Sequence, residues 1–525
     1  MGERLNLAEA LLRGSASNVS AGGRGARIAL AEPTRAWTYD EVLDTVARLG
    51  GALTTLGVKP GDRVAVLMPD GLEAATALLA AIYVGAIAVP LSELGRANDV
   101  RAFVRHCDAV CVVVHESIEP VLDEVRGELT SVREVIVVGA ERGVERSFDR
   151  LVADTKPAPA APTLATDVAL LLYSTIPSDR LRGVPHTHEA PLLGFRAYGE
   201  AVLELGAADR VFGLARLATA YGLANGLIYP LAAGAQAIFL PQQARSRAVF
   251  DVLAGHKPTV LVATPSLYTQ LLTDLSQAGR AALSAALRAC VSSGETIPAQ
   301  LVNRMSGQFG VEVLPGYGLT ESWSFVLATP PGKARPGSSG TAVPGFEVRV
   351  VGDDGQPLGP HEIGTLQVRG PTVADHYWKR EDESKLTFRD GWLHTADRFF
   401  YDAEGFFFHC GRTDDLFKVG GKWVSPTEVE RTLLGHEAVW ECACIGVDDE
   451  EGLTKPMAFV VPNVDHTPGP ELEKELIEYV KREIAPWKYP RWIEFVESIP
   501  KSPLGKILRY KLRSTRVRRQ TLPPA

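Results

Sequence analysis

The sequence predicts an α/β protein with a large amino-terminal domain and a smaller carboxy-terminal domain. Between about residues 25 and 325, short Val/Ile/Leu/Ala runs alternate with helix-length amphipathic segments. Repeated strand–helix–strand units of this kind form parallel sheets that are covered by helices. From about 335 to 412 the chain changes to short strands separated by Gly and Pro turns, and a mixed tail of about 110 residues follows 415. A tail of that length is long enough to be a domain of its own.

Apolar runs bounded by turn residues predict the individual strands of the first region. They are Arg63–Met68, Ala86–Pro90, Val110–Val114, Val135–Val138 and Val260–Ala263. Phe346–Val351 alternates between polar and apolar residues. We therefore predict a small antiparallel barrel or sheet for residues 335–412.

Two uncharged stretches, Ala74–Ser92 and Leu217–Ala244, approach the length of a bilayer span. Glycines and prolines interrupt both, so we interpret each as a buried helix that runs into a buried strand. The amino terminus has no basic patch followed by an apolar segment, and six cysteines are scattered through the chain. We expect reduced thiols, a cytoplasmic location and no membrane partner.

The formal net charge of −8 gives no general basic field, so no nucleic-acid partner is expected. The charge is nevertheless unevenly distributed. Near the end of the chain, seven cations have no acid among them: Lys506, Arg509, Lys511, Arg513, Arg516, Arg518 and Arg519. This run is either a solvated terminus or a docking patch for a phosphate or an acidic partner.

The segment Gly411-Arg-Thr-Asp-Asp-Leu-Phe-Lys-Val-Gly-Gly421 is the most specific motif. With it, the chain resembles the adenylate-forming superfamily of acyl-CoA ligases, luciferases and adenylation domains, and within it the benzoate and aminobenzoate CoA ligases. Matching segments cover nearly the whole chain: Ala220–Asn225, Arg335–Gly340, Val424–Glu430, Gly452–Pro456, Ala485–Pro490 and Pro500–Ile507. The resemblance implies a large domain over 1–413 and a small mobile domain over 414–525, with Asp414 at the hinge.

The resemblance also implies two half-reactions at one site. A carboxylate attacks ATP to give an acyl-adenylate, and a thiol then attacks the adenylate to give a thioester. The implied roles are adenine contact for Tyr317, α-phosphate contact for Thr320, Mg²⁺ binding for Glu321, ribose contacts for Asp397 and Arg412, and adenylation for Lys506. A carboxylate is a suitable hard oxygen ligand for Mg²⁺.

The phosphate-binding loop departs from the family pattern, approximately SSGSTGRPKG. Here the chain reads Ser174-Thr-Ile-Pro-Ser-Asp-Arg-Leu-Arg-Gly183. Two inner glycines are replaced by Ile176 and Asp179, and Pro177 removes an N–H donor. Losing a charge-assisted hydrogen bond costs about 1.5–3 kcal/mol, so we expect impaired use of ATP. The other candidate residues of this degenerate loop are Ser174, Thr175, Ser178, Arg180, Arg182 and Gly183. In the alternative, the altered loop still works, and Arg180 and Arg182 take over the phosphates.

The resemblance places an acyl pocket at Ala220, Tyr221, Gly222, Ser293, Gly294 and Gly316, and a pantetheine tunnel at Gly420 and Gly421. Small residues leave space and Tyr221 can form an aromatic wall, so a flat benzoyl, anthraniloyl or hydroxybenzoyl group suits the pocket. In the alternative, the pocket residues serve packing alone.

Three functions remain open. The first is transfer of an aryl acyl group from CoA to the phosphopantetheine thiol of an acyl carrier protein, as in aromatic polyketide or quinolone biosynthesis. It would proceed through AMP or through a protein nucleophile, for which Cys410 is the candidate. The second is an aryl-CoA ligase that uses ATP and Mg²⁺. The third is a non-catalytic relative that binds acyl-CoA or AMP.

Overall fold

A computed structural model confirms the predicted α/β architecture. It describes residues 2–14, 24–139, 146–174, 181–242, 244–275, 279, 286–295, 297, 299–413, 415–420, 422–463, 465–500, 507–509 and 511–513. Two large sheets, one antiparallel sheet, a two-stranded hairpin and a small three-stranded carboxy-terminal sheet organise these residues.

Sheet A has seven strands, which are parallel except for the antiparallel pair that ends at the phosphate loop. In spatial order the strands are Arg146–Ser147, Glu134–Val138, Ala109–His115, Arg63–Leu67, Ile87–Leu91, Val168–Tyr173 and Gly183–Thr187. Four of the five predicted parallel strands lie here.

Sheet B has nine strands, and its central six are parallel. In spatial order they are Thr341–Ala342, Phe325–Ala328, Val313–Gly318, Ala289–Ser292, Val260–Ala263, Arg210–Gly213, Gln236–Ile238, Ile28–Ala31 and Ala36–Thr38. The carboxyl ends of parallel strands meet at one edge, which is where open α/β sheets bind ligands.

Sheet C is the antiparallel structure expected for 335–412. It contains Glu347–Val351, Gly364–Arg369, Phe388–Arg389, Trp392–Tyr401 and Phe407–Arg412. The carboxy-terminal part contains the hairpin Phe417–Val419/Lys422–Val424 and sheet D, formed by Val439–Asp448, Thr454–Pro462 and Trp492–Phe495.

Helices cover the sheets. The α-helices are Leu7–Arg13, Tyr39–Thr55, Leu72–Tyr83, Ala97–Cys107, Glu119–Asp123, Phe148–Asp154, Ala190–Gly194, Ala220–Leu223, Tyr229–Ala233, Ser246–His256, Pro265–Thr273, Ala299–Phe309, Glu381–Thr387, Pro426–Leu433 and Pro470–Glu483. Phe195–Glu200 and Ala224–Ile228 are π-helical, and Arg24–Ala26, Arg126–Glu128 and Thr320–Ser322 are short 3₁₀ turns. Local sequence explains the boundaries: Thr38 and Glu41, for example, form a capping box that starts the second helix.

The two uncharged stretches, Ala74–Ser92 and Leu217–Ala244, lack charged residues because they are largely buried inside the protein. Helix Leu72–Tyr83 is buried over almost its whole surface and runs into the buried strand Ile87–Leu91. The second stretch likewise forms buried helical turns followed by the strand Gln236–Ile238. None of the helices that the structure describes is long and apolar enough to cross a membrane.

The carboxy-terminal part packs on sheet C through helix Pro426–Leu433. The Ser425 hydroxyl caps this helix and also donates to the Cys410 carbonyl. A Cβ on Gly411 would stand 3.2 Å from Thr427 Oγ1, so the absence of a side chain allows this close approach. The domain boundary at 413/414 stays a prediction.

Candidate functional site

A buried carboxylate, Asp397, is the centre of the candidate nucleotide site. The Tyr317 hydroxyl donates to Asp397 Oδ2 at 2.9 Å, His409 Nε2 lies 3.2 Å from Oδ1, and Arg412 Nη1 lies 3.7 Å from Oδ2. Burial by itself raises the pKa of Asp397, but the hydrogen bond and charge of His409, together with Arg412, hold that pKa below its usual range. Asp397 is therefore an ionised acceptor, as a ribose-hydroxyl contact requires.

The structure thus brings together the three residues expected to contact adenine and ribose, and it adds His409. This histidine lies on Phe407–Arg412, the strand that pairs with the strand carrying Asp397. Its ring stacks on that of Tyr317 at 6.1 Å. Regular strand alternation puts His409 and Arg412 on opposite faces, because they are three positions apart. The pairing of the two strands is irregular between Arg398 and Phe399, and this irregularity, which the sequence alone did not reveal, accompanies the contact of both residues with Asp397.

Thr320 and Glu321 form a short turn one residue after the strand Val313–Gly318. The buried Glu321 carboxylate accepts from the Tyr377 hydroxyl at 2.7 Å. His186 donates from Nε2 to the Thr320 carbonyl at 2.9 Å, and burial lowers the pKa of His186 to about 4, so its ring is neutral. Two rigid partners therefore fix the turn proposed to hold the α-phosphate and Mg²⁺.

A strained turn follows Glu321. Trp323 has φ 63° and ψ −44°, and the Ser324 amide donates to the Ser322 carbonyl at 2.7 Å, which is the geometry of a γ-turn. Trp323 is completely buried and packs edge-on against the His186 ring at 5.3 Å. Surrounding packing maintains such a conformation, and strain of this kind is concentrated at functional sites.

The candidate acyl pocket lies at the carboxyl edge of sheet B. The Tyr221 hydroxyl shares its one proton between the carbonyls of Ala263 and Val291, at 3.1 and 3.0 Å, so the ring is fixed against two neighbouring strands. Its ring lies 5.7 Å from that of Phe325. A Cβ on Gly316 would stand 3.0 Å from the Phe325 ring, so a side chain at this position would require the ring to shift by a few tenths of an ångström. Sequence reasoning missed Phe325.

The remaining pocket residues have different reasons for being small. A Cβ on Gly222 would meet the Arg216 carbonyl oxygen at 2.1 Å, so backbone packing requires this glycine and it does not widen the pocket. Ala220 begins the same short helix. Ser293 and Gly294 directly follow the strand Ala289–Ser292, and Gly294 has φ 89°.

The phosphate-loop residues Thr175, Ser178 and Arg180 lie outside the described residues. Around them, the Ser174 amide donates to the Arg182 carbonyl at 3.1 Å, and the Trp378 amide donates to the Gly183 carbonyl at 2.8 Å. Arg182 donates from Nε to Glu383 at 2.6 Å and lies over the Tyr377 ring at 5.4 Å. The arginine expected to hold phosphate is therefore already paired with a carboxylate.

Cys410 is a poor nucleophile in this fold, and the structure argues against its proposed catalytic role. The side chain is buried, its Sγ lies 3.6 Å from the Phe408 carbonyl oxygen, and burial raises the pKa of the thiol to about 12. Because the thiolate is the reactive form, such a cysteine is inert near neutral pH. Across the part of the chain that the structure describes, no cluster of three metal-ligating side chains occurs.

Asp414, Gly421 and Lys506 lie outside the described residues, so their expected roles stay predictions. Gly420 follows the strand Phe417–Val419 and has φ 55°. One cation of the basic carboxy-terminal run is partly buried and paired: Arg509 binds Glu430 at 2.6 Å and Asp415 at 3.3 Å. The proposed docking patch therefore loses Arg509.

Comparisons with known proteins give the family. The model of the AMP-binding enzyme family matches residues 18–378, and that of the AMP-binding enzyme C-terminal domain matches residues 428–506. The chain is 36% identical to benzoate–CoA ligase of Thauera aromatica, covering 98% of this chain and 96% of that protein. It is 30% identical to anthranilate–CoA ligase of Pseudomonas aeruginosa, covering 87% of each.

A solved structure agrees with these relatives. The crystal structure of the anthranilate CoA ligase AuaEII in complex with anthranoyl-AMP superposes with a TM-score of 0.94 at 35% identity, covering 99% of each chain. Together with the family models and the curated relatives, this likeness shows that the chain belongs to the AMP-binding enzyme family, in the group of benzoate and anthranilate CoA ligases.

Proposed function

We propose that the protein forms aryl-CoA thioesters through an aryl-adenylate, as a benzoate- or anthranilate-type CoA ligase. One observation carries the proposal. The ionised Asp397 cluster, the Thr320–Glu321 turn and the Tyr221 pocket are all fixed around the carboxyl edge of sheet B. The named activities of the relatives, benzoate and anthranilate ligation to CoA, support this function over the alternatives.

In this proposal Asp397 accepts hydrogen bonds from the ribose hydroxyls. Glu321 offers a carboxylate oxygen to Mg²⁺, a donor of the kind this ion prefers, and the Thr320 hydroxyl contacts the α-phosphate. Lys506 assists adenylation, and Gly420 and Gly421 line the path of the pantetheine arm. A carboxylate oxygen of the aryl acid attacks the α-phosphorus of ATP and pyrophosphate leaves; the CoA thiolate then attacks the acyl carbon and AMP leaves.

The aromatic wall supports a flat substrate. Tyr221 and Phe325 present two rings at a centroid distance of 5.7 Å, and Tyr198 packs edge-on against Phe325 at 4.6 Å. Aromatic groups stack or pack edge-to-face on such rings. We propose a benzoyl, anthraniloyl or hydroxybenzoyl group as the acyl moiety.

A second candidate function has its own observation. Ile176, Pro177 and Asp179 replace residues that would surround the outer phosphates of ATP, so activation of a free acid is weakened. The thioester step needs only AMP. An AMP phosphate oxygen attacks the acyl carbon of aryl-CoA, CoA leaves as the thiolate, and the phosphopantetheine thiolate of an acyl carrier protein then displaces AMP. The net reaction is aryl transfer from CoA to a carrier protein.

The two functions are separated by three incubations of the purified protein. The first contains anthranilate or benzoate with ATP, Mg²⁺ and CoA; the second contains aryl-CoA, a phosphopantetheinylated carrier protein and AMP; the third omits AMP from the second. Product in the first supports the ligase. Product in the second incubation but not in the first or third supports AMP-dependent transfer, and product in both the second and third supports transfer without AMP. Absence of product from all three incubations overturns both functions.

A further inference from the structure

We propose that Glu383 is a specificity-determining residue of the nucleotide site, which weakens binding of ATP relative to AMP by neutralising Arg182. The inference rests on the nucleotide site of the proposed function. It adds Glu383 to that site, although Glu383 is not among the residues proposed to contact adenine or ribose. It also gives the altered phosphate loop a partner outside the loop.

The Arg182–Glu383 contact is a close ion pair. Arg182 Nε stands 2.6 Å from Glu383 Oε2, and the two side chains are 32% and 31% exposed. The guanidinium also lies over the Tyr377 ring, at 5.4 Å from its centroid. A carboxylate on one side and an aromatic face on another hold the arginine in place, and the carboxylate opposes its positive charge.

Glu383 is fixed by the element that carries it. It lies in the first turn of helix Glu381–Thr387, and the Ser384 hydroxyl both accepts from the Tyr377 amide at 2.9 Å and donates to the Arg380 carbonyl at 2.6 Å. Arg380 also approaches Glu383, at 3.7 Å. The carboxylate is therefore part of a folded loop that faces the base of the phosphate loop.

The ion pair lies on the phosphate side of the site. Arg182 directly precedes Gly183, whose carbonyl accepts a hydrogen bond from the Trp378 amide. The Tyr377 ring lies under the Arg182 guanidinium, and its hydroxyl donates to Glu321, the candidate Mg²⁺ ligand. In the proposed binding mode AMP reaches Thr320 and Glu321, and the two further phosphates of ATP extend from there towards Arg182. A cation that is already neutralised attracts those phosphates weakly.

The test measures nucleotide binding, which does not depend on turnover. The variant E383Q keeps the volume and a hydrogen-bond acceptor for Arg182 but removes the charge. The matched control is E381Q, on an exposed position of the same helical turn. Affinities for AMP are measured by calorimetric titration, and those for MgATP by displacement of bound AMP, in full-length protein.

We expect E383Q to tighten MgATP binding about tenfold, the difference between a charge-assisted and a neutral hydrogen bond, and to leave AMP binding within about twofold. E381Q should change neither affinity. In a protein that already carries R182M, adding E383Q should leave the ratio of the MgATP and AMP affinities unchanged. An unchanged or lowered preference for ATP in E383Q overturns the inference, as does equal tightening of both nucleotides. Absence of AMP binding in the unaltered protein overturns the proposed nucleotide site itself, which is a distinct result.

Discussion

Removing Arg509, the partly buried cation that pairs with the buried Glu430, should destabilise the carboxy-terminal domain strongly. Its Nη2 lies 2.7 and 2.6 Å from the two Glu430 oxygens, and these side chains are 17% and 9% exposed. In R509M, Glu430 keeps the amide hydrogen bond from Cys444 at 2.7 Å but loses its cation, whereas Asp415 still faces Arg513 at 3.3 Å. Removing one partner of a buried ion pair costs about 3–5 kcal/mol.

Hydrogen exchange followed by mass spectrometry measures this loss within the domain. A cost of that size lowers the protection of amides in sheet D by about two to three and a half powers of ten, because about 1.4 kcal/mol corresponds to one power of ten. The control R482M removes an arginine that is 70% exposed, and protection should stay within about a factor of two.

The double variant R509M/E430Q distinguishes an uncompensated charge from lost packing. The glutamine side chain of E430Q still accepts from the Cys444 amide but carries no charge, so most of the lost protection should return. Equal amide protection of sheet D in R509M and R482M would refute the reasoning, because the buried charge of Glu430 would then not need Arg509 as its partner.

Three further perturbations test the site and its surroundings. D397N removes the ionised acceptor and should weaken AMP binding about tenfold to a hundredfold by calorimetry; an unchanged affinity would contradict the ribose role. C410A should leave the rate of thioester formation within about twofold, since burial raises the pKa of that thiol to about 12; loss of activity would restore the covalent hypothesis. Burial, opposed by Arg216, raises the pKa of Asp70 to about 7, so its protonation stabilises the fold below about pH 4 and that contribution is lost as pH rises through 7. The unfolding temperature of D70N relative to the unaltered protein should therefore rise between pH 5 and pH 8, and a difference that does not vary with pH would argue against this linkage.

The local sequence pattern predicted the features that depend on residues close together in the chain, namely strands, helices and motifs. Buried apolar runs identified five of the parallel strands, and most of helix Leu72–Tyr83 followed from an uncharged stretch broken by Gly and Pro. The family segments placed Tyr317, Thr320 and Asp397 in one site, and the structure does bring Tyr317 and Asp397 into hydrogen-bond contact.

The residue contacts that the sequence did not predict join segments that are distant in the chain. Tyr377 meets Glu321 across 56 residues, and Glu383 meets Arg182 across 201. Composition cannot signal either pair, because an isolated Tyr or Glu after a loop is typical of exposed chain. Within the basic run at the end, the ion pairs of Arg509 with Glu430 and Asp415 likewise join distant segments, and the charge pattern could not signal them.

The central claim is that this site carries an aryl-adenylate, whichever thiol finally receives the acyl group. Incubating stoichiometric protein with benzoyl-CoA or anthraniloyl-CoA and AMP, followed by acid quenching and mass spectrometry, tests it most directly. The account predicts aryl-AMP together with an equal amount of released CoA, and much less of both with D397N. Absence of aryl-AMP here and from the free acid with ATP, while thioester is still formed, would contradict the account.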